Sequence, residues 1–125
     1  MAFDIPTRNR IAVVSSDAPS GEDRWIWITD DATFHDKPRW SADGNLLYYT
    51  YEHDGFRCIR AQRLNPATKR PVGSPLDVYH SHGARRSLMN AGIPFMEISL
   101  SRDRMVFNLE ERTGNIWMGD LNQPH

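Results

Sequence analysis

At 125 residues the chain is long enough for one modest domain, and 39% hydrophobic with 25% charged residues is a globular composition, neither disordered nor fibrous. A formal net charge of −1 removes the global electrostatic case for nucleic acid or an anionic membrane surface, and no apolar run reaches the ~18 to 20 residues of a membrane helix. The single cysteine, Cys58, excludes an internal disulfide framework and a multi-cysteine zinc site.

Residues 1–5 carry neither a basic patch nor an apolar stretch, so the sequence as written shows no secretory signal and reads as cytoplasmic; a start further upstream would leave room for a periplasmic address. Strand signals then follow one another along the chain: R-I-A-V-V-S at 10–15, R-W-I-W-I-T at 24–29, L-L-Y-Y-T-Y at 46–51, a longer mixed stretch at 55–64, an outer strand at 76–80, R-M-V-F-N-L at 104–109 and N-I-W-M-G-D-L at 115–121. Each is short, rich in β-branched or aromatic residues, and bounded by Gly, Asp, Asn or Pro. No apolar period of 3.6 is sustained anywhere, because Pro or Gly interrupts nearly every window of a dozen residues. Asp43-Gly44 and Asp54-Gly55 suit tight turns that need positive φ. The expectation is an all-β chain of about nine or ten strands in antiparallel meanders.

Residues 46–51 are apolar on both faces, with Leu46, Tyr48 and Thr50 pointing one way and Leu47, Tyr49 and Tyr51 the other. A sheet with one wet face has no use for that, whereas sheets stacked face to face require it. The pattern also repeats. The nine residues from Trp40 to Tyr48, W-S-A-D-G-N-L-L-Y, align without a gap with I-P-T-R-N-R-I-A-V at 5–13, and with one deletion with L-S-R-D-R-M-V-F at 100–107. The copies begin about 35 and then about 60 residues apart, and units of about 40 residues with three or four strands are the signature of propeller blades.

At 37–64 the residues K-P-R-W-S-A-D-G-N-L-L-Y-Y, then His53-Asp54-Gly55, then Ile59 and Leu64, resemble the TolB-type, WD-repeat-like propeller motif. That motif reads roughly P-x-W-S-P-D-G-x-x-I-x-F, then a charged D-G turn, then I-Y-x-x-x-L. The resemblance implies β-propeller-type blades, about three units at roughly 3–36, 37–95 and 96–122 of one domain spanning 1–125, in a family whose members bind partners or carry substrate-gating domains. It implies a structural motif: Trp40 on an inner strand packing between blades, Ser41 and Asp43 bonding the turn, and Gly44, Asp54 and Gly55 shaping turns. Propellers have about 4 to 8 blades, so three units form a partial propeller. That predicts a homo-oligomer, a dimer or trimer completing a ring, or else a piece of a longer propeller.

Chemical motifs are sparse. His80 and His82 lie two apart, so on a strand both imidazoles reach one side; they are the weak metal candidates, with His35, Asp36 and His53 as possible additions from nearby loops. Arg57, Arg60, Arg63, Arg85 and Arg86, with Lys69 and Arg70, form a basic stretch in which Asp77 is the sole acid. It reads either as a patch for an anionic partner or as arginines paired to carboxylates, with Asp30-Asp31 and Glu110-Glu111 as available acids. Cys58 falls inside a strand and reads as a small buried hydrophobe. There is no G-x-S-x-G and no P-loop. The reading is therefore a non-catalytic module for protein or ligand binding, with no cofactor, no membrane partner and nucleic acid disfavoured. Two alternatives stay open: an accessory or sensor propeller of a larger kinase- or peptidase-associated protein, and a small metal-dependent enzyme using His80 and His82.

Overall fold

The computed structural model describes residues 2–5, 10–17, 21–30, 33–53, 55–80, 86–87 and 97–111, with the backbone alone at 3–5, 86–87 and 110–111. Among these the chain is all-β, with eleven strands, slightly more than expected because short first strands and a two-residue pair add to the apolar runs. The one helical element described is a single 3-10 turn at Glu22–Arg24. No helix among the described residues is long and apolar enough to cross a membrane.

The strands form antiparallel groups in chain order. β1 (Ala2–Ile5), β2 (Arg10–Val13) and β3 (Ile26–Trp27) make a three-stranded meander. β4 (His35–Trp40), β5 (Leu46–His53), β6 (Phe56–Arg63) and β7 (Leu76–Tyr79) make a four-stranded meander. β8 (Arg86–Ser87) pairs with β11 (Glu110–Glu111), and β9 (Ile98–Leu100) pairs with β10 (Met105–Phe107). The sheets are separate; none closes on itself. The strand expected at 115–121 lies outside the described residues.

Register assigns the faces of the four-stranded sheet. Trp40 pairs with Leu47, Leu47 with Gln62, Tyr49 with Arg60 and Tyr51 with Cys58, so these side chains share one face. There Leu47, Tyr49, Tyr51, Cys58 and Leu64 pack with Ile11, Val13 and Ile28 of the first sheet. The opposite face carries Thr50 and Ile59, and Ile59 packs with Ile98, supported by Tyr79, Leu100, Met105 and Phe107. The middle sheet is thus covered on both sides by its neighbours in sequence, as the two-sided apolarity of 46–51 requires. Cys58 is wholly buried.

β4 is the strand nearest to both neighbours, in contact with β1 and β2 on one side and β9 on the other. It has little strand character in sequence, H-D-K-P-R-W, and is broken by a bulge between Asp36 and Arg39 where Lys37 takes φ 55°. Polar side chains hold it. Arg39 donates from Nε to the Ile98 carbonyl at 3.0 Å and from Nη2 to Glu97 Oε2 at 3.1 Å, tying the middle sheet to β9. Asp36 is buried and accepts from Arg57 Nη1 at 3.3 Å and from the Thr50 hydroxyl.

The turn between β4 and β5 shows why its sequence is what it is. Ser41 Oγ donates to Asp43 Oδ1 at 2.6 Å, Asp43 Oδ1 accepts the Asn45 N–H at 3.0 Å, and Ser41 Oγ accepts the Leu46 N–H at 3.0 Å. The bond from Ser41 holds the Asp43 carboxyl below its ordinary range. Gly44 takes φ 72°, which a side chain resists. Lys69 then reaches across from a turn organised by Asn65 and donates from Nζ to the Gly44 carbonyl at 2.8 Å, 5.9 Å from the Trp40 ring centre. Trp40 itself is half-buried at the end of β4 and packs on the edge of the core instead of lying wholly inside it. Between β5 and β6, His53 pairs with Phe56 across a two-residue turn in which Gly55 takes φ 77°; Asp54 lies outside the described residues.

Candidate functional site

Past β3, Ile28, Thr29 and Asp30 line a cleft of about 410 Å³ together with residues of β4, β5 and β6. Its upper end is fixed by Thr29, whose Oγ1 accepts the Ile11 N–H at 2.9 Å while Ile28 N–H donates to the Ile11 carbonyl at 3.0 Å. The floor comes from alternate residues of β5 and β6: Tyr49, Tyr51, Arg60 and Gln62. His35, at the start of β4, lies edge-on to Tyr49 with ring centres 5.7 Å apart and has Nε2 3.4 Å from Thr33 Oγ1. Glu52 and His53 also line a second hollow, beside Phe34 and Gly55.

Polar contacts brace one wall. Arg60 lies over the Tyr51 ring, its guanidinium carbon 4.0 Å from the centroid, and donates from Nε to Asp77 Oδ1 at 2.8 Å. Tyr51 donates its hydroxyl to the same oxygen at 3.1 Å and lies 3.2 Å from His80 Nδ1. The bond from Arg60 holds the Asp77 carboxyl below its ordinary range, while burial pushes the Tyr51 phenol up to about 12. β7 is thereby fastened to β6 by side chains as well as by the ladder, and both phenols of the floor stay protonated across the neutral range.

These positions revise the two site candidates. Asp77, the lone acid of the basic stretch, is the partner of Arg60. Arg57 is not on the surface at all: its side chain is 1% exposed and paired with Asp36. Its Nη2 is buried without a hydrogen-bond partner. Arg63 is exposed at the end of β6, on the other side of the strand from Arg60. Arg85 lies outside the described residues, as does the side chain of Arg86. The described arginines are therefore not gathered into one anion patch, because the alternation of β6 sends Arg57 and Arg63 to one face and Arg60 to the other. Asp36 meets Arg57 and Asp77 meets Arg60, whereas Asp31 and the side chains of Glu110 and Glu111 lie outside the described residues. His80 is brought beside Tyr51 and within 6.3 Å of the His53 ring, while His82 lies outside the described residues. Asp36 and His35 are drawn elsewhere, to Arg57 and to Tyr49. No group of three metal-ligating side chains occurs among the described residues.

The cleft was not visible in the sequence as a site. Tyr49 and Tyr51 read as core, and Gln62 carries no signal of its own.

No protein-family model matches the chain, and neither a curated protein nor a solved structure matches it.

Proposed function

We propose that the chain is a non-catalytic, TolB-like propeller-type module that presents the openings between its units to a protein or small ligand. The observation that carries this reading is the middle sheet: it is packed on both faces by the sheets before and after it in sequence, and its first strand, β4, lies against the early strands of both. Blades radiating from an axis have that arrangement, first strands gathered and last strands spread. The third unit repeats the turn device of the second, with Ser101 N–H donating to the Arg104 carbonyl at 2.9 Å and Ser101 Oγ donating to Asp103 Oδ1 at 3.4 Å. The outer side of β10 exposes Val106 at 66%, the side a further unit would cover. Ring completion by copies of the chain follows, a dimer of three-unit chains being the simplest closed form.

Small-angle X-ray scattering tests the shape. A flat disc with the thickness of one blade supports the reading. An elongated particle, its sheets stacked in a row with both ends open, contradicts it.

A further inference from the structure

We propose that the groove between the second and third units binds a short extended segment of a partner protein that carries both apolar and acidic side chains. The inference rests on the binding-module reading and names the partner chemistry for one opening of that module.

The groove follows from how little of the second sheet the third unit covers. Register puts Leu46 beside Arg63, Tyr48 beside Ala61 and Ala61 beside Leu76, so these side chains share the face turned towards the third unit. β9 and β10 have three residues each and pack on that face around Ile59 and Tyr79. Towards the β4–β5 turn the face is left open. Leu46 and Tyr48 are half-buried there, and Leu76 and Val78 are 50% and 45% exposed. Val72, 47% exposed, lies beside Arg63 and donates its N–H to the Arg63 carbonyl at 2.9 Å. Three of the five large hydrophobics exposed among the described residues therefore fall on this one edge. Two adjoining hollows of about 470 and 280 Å³ occupy the opening and share Ser41, Ala42, Tyr48 and Arg102. The smaller one reaches on to Val78, Leu100 and Met105. An exposed apolar patch rimmed by polar residues marks an interaction site.

Charge decides the chemistry. Arg63 stands on the sheet side, next to Leu46, and Arg102 lines the hollows from the third unit. Both are exposed, and neither makes an ion pair among the described residues. The other charges around the groove are answered. Asp43 is bound by Ser41 and the Asn45 N–H, with the Lys69 ammonium on the adjoining Gly44 carbonyl. Asp103 lies 3.9 Å from Arg104, and Arg39, the cross-strand neighbour of Tyr48, is paired with Glu97. An apolar groove with an uncommitted cation on each side repels a cationic segment and leaves a neutral one without a complement. A single carboxylate answers one side only. Successive side chains of an extended segment point opposite ways, so a segment mixing carboxylates with apolar residues answers both sides and buries its apolar groups on Tyr48, Val78 and Leu100. A nucleic-acid strand calls for a track of cations with stacking rings, and Tyr48 is the one aromatic ring among the described lining residues.

The test is a set of 15N–1H NMR titrations of the full chain with the acetylated, amidated hexapeptide Leu-Asp-Val-Glu-Leu-Asp, its Asn/Gln counterpart, a lysine counterpart, glutarate and hexathymidylate. The acidic peptide is expected to shift the signals of Tyr48, Val78, Leu100 and Arg102. It should bind about 10-fold more tightly than the Asn/Gln peptide, the size of two exposed ion pairs, with an affinity that falls as salt is raised. Arg63→Gln and Arg102→Gln, both at exposed positions outside the core, are each expected to weaken it by about 3-fold, while Arg24→Gln, exposed in the 3-10 turn of the first unit, leaves it unchanged. Equal binding of the Asn/Gln peptide, preference for the lysine peptide, unchanged affinity in both groove variants, or no groove shifts at millimolar peptide each overturn the proposal. Glutarate or hexathymidylate binding as tightly as the acidic peptide also overturns it, in favour of a small dicarboxylate or a nucleic acid. Assembled mass without peptide binding overturns the proposal and leaves the module reading standing; a monomer that binds the peptide here keeps the proposal and sinks the ring.

Discussion

The turns at 41–46 and 101–104 use the same two residue types, Ser and Asp two apart, to different effect. In the middle unit the Ser41–Asp43 contact is 2.6 Å, Gly44 supplies the positive φ, and Lys69 clamps the loop from the far end of β6. In the third unit the turn is two residues shorter, the Ser101–Asp103 contact is 3.4 Å, the glycine is gone, and Arg102, Asp103 and Arg104 are exposed. The difference follows burial. The middle turn joins strands covered on both faces, where a misplaced loop would shift the register of the whole core. The third joins strands covered on one described face, where register is less costly to lose. The Ser-x-Asp turn serves register first, and its tightness tracks how much packing depends on it.

The largest test of that contrast lies under the middle sheet. Arg57→Met should destabilise the protein by about 3–5 kcal/mol in chemical denaturation, because it leaves the Asp36 carboxylate buried without its cation. A change below about 1 kcal/mol would mean that water reaches Asp36 and that the third unit does not seal this face.

Trp40→Ala comes next, at about 2–3 kcal/mol. A fully buried aromatic costs about 3–5 kcal/mol, and Trp40 is half-exposed. Leu100→Ala, at the aligned position before the third turn, should cost less than Trp40→Ala. Equal costs would remove the distinction between the two units.

Much of this was legible in the sequence, for identifiable reasons. β5 and β6 fall where their β-branched and aromatic runs and the flanking Asp-Gly signals put them, because strands buried on both faces are apolar on both faces, and β7 falls where the outer strand was expected. β4 was implied only by the repeat. Its residues are polar and include Pro38, since it is held by Arg39, Asp36 and a bulge, and such contacts leave no hydrophobic period. The pairing of β8 with β11 joins segments far apart in sequence and had no local sign. The arginines misled for a similar reason: composition counts them as one run, while the pleat of β6 divides them between two faces. The cleft draws its lining from separate stretches between Ile28 and Pro75, a feature of tertiary packing that no single window contains.

The smallest expected effects are at the turns themselves. Gly44→Ala should cost about 1 kcal/mol, from backbone conformation alone, since a Cβ there would meet Lys69 Nζ at an ordinary 3.6 Å. Asp103→Ala, in the looser third turn, should cost about 0.5 kcal/mol or less. Reversed magnitudes would show that the third turn carries register and the second does not.

The claim on which the rest depends is that stacked units continue past the ends of one chain, and light scattering coupled to size exclusion at micromolar concentration tests it most directly. The account predicts a mass of twice the 14.4 kDa chain, with three times that mass as the other closed ring. A single species of 14.4 kDa, unchanged by concentration, would contradict it.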